Sequence, residues 1–223
     1  MALYTMADFH LSFSTGKPMD IFGERWKNHP KKIEEQWPLT DQDTIVLPGD
    51  FSWAIDFEEL KEDVAFLDRL PGKKILSKGN HDYWWETMAK MNKFIAAYPS
   101  IHFLHNNSYP VGDVSICGTR GWTLEPTDED EKVLNREVGR LKASLQSAEN
   151  EPIVFLHYPP LFGDLRCDPI LDVLKQYGVK ECYYGHLHGA GASNLAVQGQ
   201  VDGITFRLVA ADYLDFTPLK IRE

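Results

Sequence analysis

The sequence predicts an α/β fold, and three observations carry that expectation. Short apolar runs rich in Val, Ile and Tyr alternate with longer segments of helical period, as in buried strands covered by helices. One of those longer segments, "DFEELKEDVAFLDRL", repeats Phe57, Leu60, Val64 and Leu67 at three- and four-residue intervals, with charges on the opposite face. Gly-Asp and Asp-Gly pairs divide two other β-rich stretches into hairpins, so the strands are expected to fill two sheets.

Taken in order, the core strands are "ALYTM", "DTIVLPGD", "KKILSKGN", "PIVFLHY" and "VKECYYGH". Asp56 is placed to cap the helix between the second and third. Residues 86–98, 128–149 and 168–177 read as further helices, the middle one highly charged and the most exposed, with Pro99 and Gly178 as stops after the first and third. "HFLHNNSYPVGDVSICGTRGW" and the tail "AVQGQVDGITFRLVAADYLDFTPLKI" are expected to form hairpins rather than parallel crossover units. Without internal repeat, low-complexity segment or long linker, residues 1–223 are expected to form a single domain.

A formal charge of -10 argues against general binding to duplex DNA or an anionic membrane, which relies on extended Lys and Arg surfaces. Anionic substrates stay open, because metal ions in a cleft can reverse the local field. Cys117, Cys167 and Cys182 are far apart and odd in number, which disfavours a disulfide framework or a zinc-thiolate site and suits a reducing compartment. The start "MALYTMADFH" lacks the pattern of a secretory leader, and no apolar run approaches ~18 residues, so a soluble cytoplasmic protein is expected.

Each core strand ends in residues able to bind metal. Asp8 and His10 follow the first, Asp50 the second, Asn80 the third, His157 the fourth, and His186 and His188 the fifth. Where parallel strands are joined by crossovers, functional groups gather beyond the carboxyl ends, so residues remote in sequence can share one crevice. The mixed nitrogen and oxygen set suits zinc, iron, manganese or nickel better than calcium or a thiolate-seeking metal.

The motifs "DFH", "GD", "GNHD", "HYPP" and "GHLH" occur, between residues 8 and 188, in the order found in the calcineurin-like metallophosphoesterases, and the chain resembles that family. The resemblance implies a four-layer α/β/β/α sandwich and a binuclear centre of manganese, iron or zinc. Asp8, His10 and His188 would hold the first metal and Asn80, His157 and His186 the second, with Asp50 bridging through one oxygen for each. Two divalent ions bring about +4, two aspartates about -2 and one hydroxide about -1, leaving positive charge for phosphate. An amide at Asn80 preserves that excess where a carboxylate would reduce it.

The resemblance further implies hydrolysis of a phosphate ester by a metal-bound hydroxide attacking in line, with His81 assisting the leaving oxygen and Asp82 orienting His81. Tyr83 and Arg120 are candidate substrate contacts. Trp53 and Trp85 divide between cleft and core, and His29, His102 and His105, which match no motif, are read as surface or structural. Gly49-Asp50 is followed by Phe51-Ser52-Trp53 instead of the Asp-Arg-Gly of phosphoprotein phosphatases, which favours a small phosphodiester or organic phosphate as partner. A non-catalytic, metal-stabilised scaffold of the same fold is the alternative; it would not need the whole ligand set together with His81. The ligand order disfavours metallo-β-lactamase-like enzymes and amidohydrolases.

Overall fold

The computed structural model describes residues 1–122 and 128–223. In chain order, strands β1 (Leu3–Thr5), β2 (Thr44–Pro48), β3 (Lys73–Ser77) and β4 (Ile101–Phe103) are separated by helices α1 (His29–Glu35), α2 (Phe57–Arg69) and α3 (Met88–Ile95). The second half runs through β5 (Tyr109–Val111), β6 (Val114–Thr119), α4 (Asp128–Gln146), β7 (Glu151–Leu156), β8 (Leu161–Phe162), β9 (Leu165–Arg166) and α5 (Asp168–Gln176). It ends with β10 (Glu181–Tyr184), α6 (Gly189–Leu195), β11 (Gly199–Val201), β12 (Ile204–Leu208) and β13 (Leu219–Arg222). One sheet has the order β13-β1-β2-β3-β4, the other β11-β12-β10-β7-β6-β5, and β8 pairs with β9 alone.

The layers follow from side-chain alternation along the strands. Leu3, Val46, Ile75, Ile153, Phe155 and Tyr183 meet between the two large sheets. Their neighbours Tyr4, Ile45, Leu47 and Leu76 turn outward onto a cluster that includes Leu60, Val64 and Leu67 of α2. Val154, Leu156, Cys182 and Tyr184 turn the opposite way, onto Leu141, Ile170 and Leu174 of α4 and α5. Both faces of each central strand are therefore apolar, which is why these runs read as continuous rather than alternating. The result is an α/β/β/α sandwich.

Helix α2 begins where the sequence indicates. The Asp56 Oδ1 atom accepts the N–H groups of Glu58 (2.9 Å) and Glu59 (3.0 Å), satisfying donors that have no partner within the helix. The expected hairpins form at β5–β6 and β11–β12. At the second, Asp202 and Gly203 both have positive φ, as a tight two-residue hairpin turn requires. The expectation that these regions lack parallel crossovers is corrected: β6 also pairs parallel with β7, and β12 parallel with β10. Each hairpin supplies one strand that continues into the sheet, and β4 and β13 belong to the other sheet altogether.

The sheets touch at the carboxyl ends of their strands. Ala7, just beyond β1, donates its N–H to Val209 O (2.8 Å) and its carbonyl accepts from Ala211 N (3.0 Å). This bridge brings the end of β1 beside the end of β12.

Candidate metal centre

Four of the residues at these strand ends, Asp8, His10, Asp50 and His186, have φ between 46 and 71°. Such angles are uncommon for residues with side chains and cluster where function demands an unusual direction. Close loop packing maintains them. A Cβ on Gly79 would lie 2.1 Å from Asp50 Oδ1, and one on Gly185 2.4 Å from Asp8 Oδ2, so both glycines are required for approach of the ligand loops.

Two groups of donor atoms converge. Asp8, His10 and His188 form one, and Asp50, His157 and His186 the other, with the donors in each within 4.8 Å of one another. The Nε2 atoms of His10 and His188 face each other at 3.1 Å, while Asn80 Oδ1 lies 2.6 Å from His157 Nε2. All seven sequence-predicted ligands are thus brought to one place. Asp50 stands between the groups: its Oδ2 is 3.8 Å from His10 Nε2 and 3.4 Å from His157 Nε2. Its Oδ1 accepts the N–H of His81 (2.8 Å), so Oδ2 is the oxygen that faces both groups.

Hydrogen bonds orient the candidate donors. His157 Nδ1 lies 3.1 Å from Pro48 O, so its N–H donates there and leaves Nε2 free to ligate. His188 Nδ1 is held 2.9 Å from Asp212 Oδ1, with Nε2 again facing the site. Asp212 was not anticipated from sequence, although it too follows the end of a parallel strand; reading the tail only as hairpins hides that signal. Trp26, also unanticipated, packs its ring 5.9 Å from His10 and 5.5 Å from His188.

Electrostatics match a cation site. Burial drives His157 down to about 3, against the pull of Asp8, and holds His10 well below the usual imidazole range, leaving both rings neutral with lone pairs available. Burial also pushes Asp50 well above the carboxylate range, reinforced by Asp82 and Asp8. For His188, burial is outweighed by Asp8 and Asp212, which push it up to about 10. Buried carboxylates crowded in this way are stabilised in their ionised form by cations, and neutral imidazoles supply the nitrogen donors. The residues present therefore fit a bound metal pair.

The remaining predicted residues divide. His81 is half-buried, its ring 4.4 Å from Trp53 and 5.8 Å from His10, and Tyr83, 55% exposed, brings its hydroxyl to 3.3 Å from His81 Nδ1. Trp53 also stacks on His10 at 5.1 Å, whereas Trp84 is fully in the core and Trp85 packs against it. His29 is buried between Trp26 and Phe216.

The expected contact between Asp82 and the His81 ring is corrected. Asp82 is fully buried; its Oδ2 accepts from Gly79 N (2.7 Å) and Asp50 N (2.9 Å), and its Oδ1 from Phe51 N (3.0 Å), Ser52 N (3.3 Å) and Trp84 Nε1 (3.1 Å). The carboxylate is spent on tying together the two loops that carry Asp50 and Asn80. Arg120 likewise directs its guanidinium toward Glu137, 3.7 Å away, and over the Trp122 ring rather than among the ligands.

Comparison with curated proteins gave no match. Among solved structures, a phosphopantetheinyl hydrolase from Mycobacterium tuberculosis is similar, with 16% identity, TM-score 0.59, and coverage of 99% of this chain and 95% of that one. A protein of unknown function from Aquifex aeolicus is similar at 16% identity and TM-score 0.53, covering 98% of this chain and 95% of that chain. At such identity these likenesses speak for the fold. A model of the calcineurin-like phosphoesterases matches residues 1–190, most of the chain and every candidate ligand described above, and with it the chain belongs to the calcineurin-like phosphoesterase family.

Proposed function

We propose that residues 1–223 act as a single metallophosphoesterase domain that hydrolyses a small phosphodiester or organic phosphate with a binuclear centre of manganese, iron or zinc. The observation that carries this reading is the convergence of two donor groups on one Asp50 oxygen, with the half-buried His81 beside them. Asp8, His10 and His188 would hold one ion and Asn80, His157 and His186 the other. When bound, such ions polarise phosphoryl oxygens and activate water.

The chain's own groups supply the rest. His81 lies next to the ligand Asn80, and its backbone N–H is anchored on Asp50, which holds the base of its side chain beside the donor groups. Burial lowers its proton affinity relative to an ordinary imidazole, partly offset by Asp8, which makes the protonated ring a stronger acid toward a departing oxygen. Trp53 packs against that ring and restricts its swing. Tyr83 beside it presents an exposed aromatic face suited to an organic substituent. The structural neighbour's name, a phosphopantetheinyl hydrolase, agrees with a phosphate ester of an organic molecule. A cytoplasmic location is compatible with the absence, among the described residues, of a helix long and apolar enough to cross a membrane.

The test is a metal-supplemented comparison of kcat/KM for bis-p-nitrophenyl phosphate, p-nitrophenyl phosphate and a phosphopeptide. Hydrolysis of a small ester is expected, and His81→Ala should lower turnover by roughly 10² with metal content nearly unchanged. A clear advantage for the phosphopeptide overturns the substrate assignment. Asp50→Ala is expected to lose both metals together, and a firm stoichiometry of one in active wild type overturns the binuclear assignment.

A further inference from the structure

Beside the Asn80–His157–His186 half of the site, three cations crowd around one carboxylate. Lys78, Arg120 and Arg140 line a small cavity with Glu137, Thr119 and His105. Glu137 is fully buried on α4; its Oε2 accepts the Thr119 hydroxyl at 2.5 Å, and its Oε1 lies 2.7 Å from Arg140 and 3.7 Å from Arg120. The Arg120 side chain is only 16% exposed and that of Arg140 31%, so neither charge is freely solvated. Arg120 Nε is buried without a hydrogen-bond partner. Lys78, half-buried, makes no ion pair with any described carboxylate.

A latch between α4 and the end of β6 needs only the Glu137–Thr119 bond and one arginine. It does not account for Lys78 or for the unpartnered face of Arg120. Gathering like charges in a partly desolvated place costs free energy, and even with the buried Asp82 counted beside Glu137, since it also attracts Lys78, the three cations outnumber the carboxylates, the pattern of a site completed by an anion. It lies in a protein whose formal charge is -10.

The cluster is joined to the metal centre. Lys78 precedes the ligand Asn80 by two residues, and the Arg120 carbonyl accepts the N–H groups of His157 (3.1 Å) and Tyr158 (2.8 Å). A continuous aromatic wall connects them on the surface: Arg120 stacks on Trp122 (4.4 Å), Trp122 packs on Tyr158 (5.7 Å), and Tyr158 on His186 (4.4 Å).

Resting on the phosphoesterase reading, we infer that Lys78, Arg120 and Arg140 form a second anion subsite, which receives a phosphate or carboxylate of the substrate outside the scissile ester. The cavity, about 10 Å³, has room for one water-sized group, so an anionic oxygen enters while the body of the substrate stays along the aromatic wall. The forked donors of Arg120 and Arg140 and the ammonium of Lys78 converge on that oxygen's neighbourhood and favour a substrate with a second anionic group over one that carries only the scissile phosphate.

The probes are alkane-α,ω-diol bisphosphates of graded length, each compared with the alkyl monophosphate of the same length, and an ω-carboxyalkyl phosphate arm that separates a carboxylate from a phosphate as the second group. In the metal-loaded wild type, kcat/KM is expected to be about tenfold or more higher for a probe with two anionic groups at one chain length, as for one well-formed charged contact. Lys78→Met and Arg140→Met should each reduce that ratio severalfold. Lys78→Met is the decisive variant, because no described ion pair is lost with it. Calorimetric binding of the same probes reads the subsite without turnover, so absence of hydrolysis would sink the phosphoesterase reading and leave this measurement valid. No preference for the probe with two anionic groups at any length, by either measurement, or a preference that survives both substitutions, overturns the subsite.

Discussion

Asp212 Oδ1 lies 2.9 Å from His188 Nδ1, and its Oδ2 accepts the N–H of Gly189 at 2.9 Å, so one carboxylate fixes both the ring and the backbone that follows it. Held this way, the ring presents Nε2 to Asp8 and His10. Asp212→Ala is expected to weaken metal binding at the Asp8–His10–His188 group by roughly 10- to 100-fold, the usual cost of losing such an orienting partner. Chelator competition measures it. A second readout concerns protons. With His188 pushed up to about 10, metal uptake at neutral pH must displace its proton, and Asp212→Ala should release fewer protons on loading. Equal affinity and equal release in both proteins would remove Asp212 from this role.

The five donors around Asp82 make it the node between the Asp50 loop and the Asn80 loop. Asp82→Asn nearly preserves volume, but either orientation of the amide turns an NH2 toward at least two N–H donors. A loss of about 2–4 kcal/mol in unfolding free energy is expected, together with weaker metal retention. Denaturant titration of metal-free and metal-loaded protein checks both, and a change below about 0.5 kcal/mol contradicts the assignment.

Asp63 on α2 is fully buried, accepting from Phe13 N (3.0 Å) and bonded to the Ser52 hydroxyl. Burial pushes its carboxyl up to about 6, against the Ser52 and Phe13 hydrogen bonds. The folded group keeps its proton until about 6, while the unfolded one releases it near 3.8. Between those values the folded state binds more protons, so this group's contribution to stability falls as pH rises from about 4 to about 6, by up to about 3 kcal/mol. Asp63→Asn should remove that slope. The urea midpoint of the variant relative to wild type is expected to rise from pH 4 to pH 7, and a constant difference rejects the shift.

A methyl group on Gly185 would lie 2.4 Å from Asp8 Oδ2 and 2.6 Å from Ala7 Cβ. Neither neighbour is the free end of a flexible side chain, so Gly185→Ala must displace the Asp8 loop, at about 1–3 kcal/mol. Elemental analysis is expected to show loss of roughly one metal equivalent per chain, with circular dichroism unchanged. Full metal content would show that the loops relax without moving Asp8.

What was legible in the sequence is what is written locally. The apolar runs of β2, β3, β7 and β10, the Asp56 cap and the metal-competent residues at strand ends each depend on a few adjacent positions. Parallel strands then carry those ends to a common edge. Alternation along a strand does not name the sheet, however, so the strands of the 102–122 stretch divide between two sheets although it reads as one hairpin region.

Tertiary structure decided the partners. Asp82 follows His81 in sequence, yet its oxygens meet N–H groups some 30 positions earlier, because the Asp50 loop turns back over it. Asp212 finds His188, and Lys78, Arg120 and Arg140 converge from a strand end, a second strand end and a helix to surround Glu137. A residue's type and local geometry follow from the chain around it. Which donor a carboxylate meets, and which charges are desolvated together, depends on chain reversals far away, and only packing of the two sheets at their carboxyl edge brings those groups within reach.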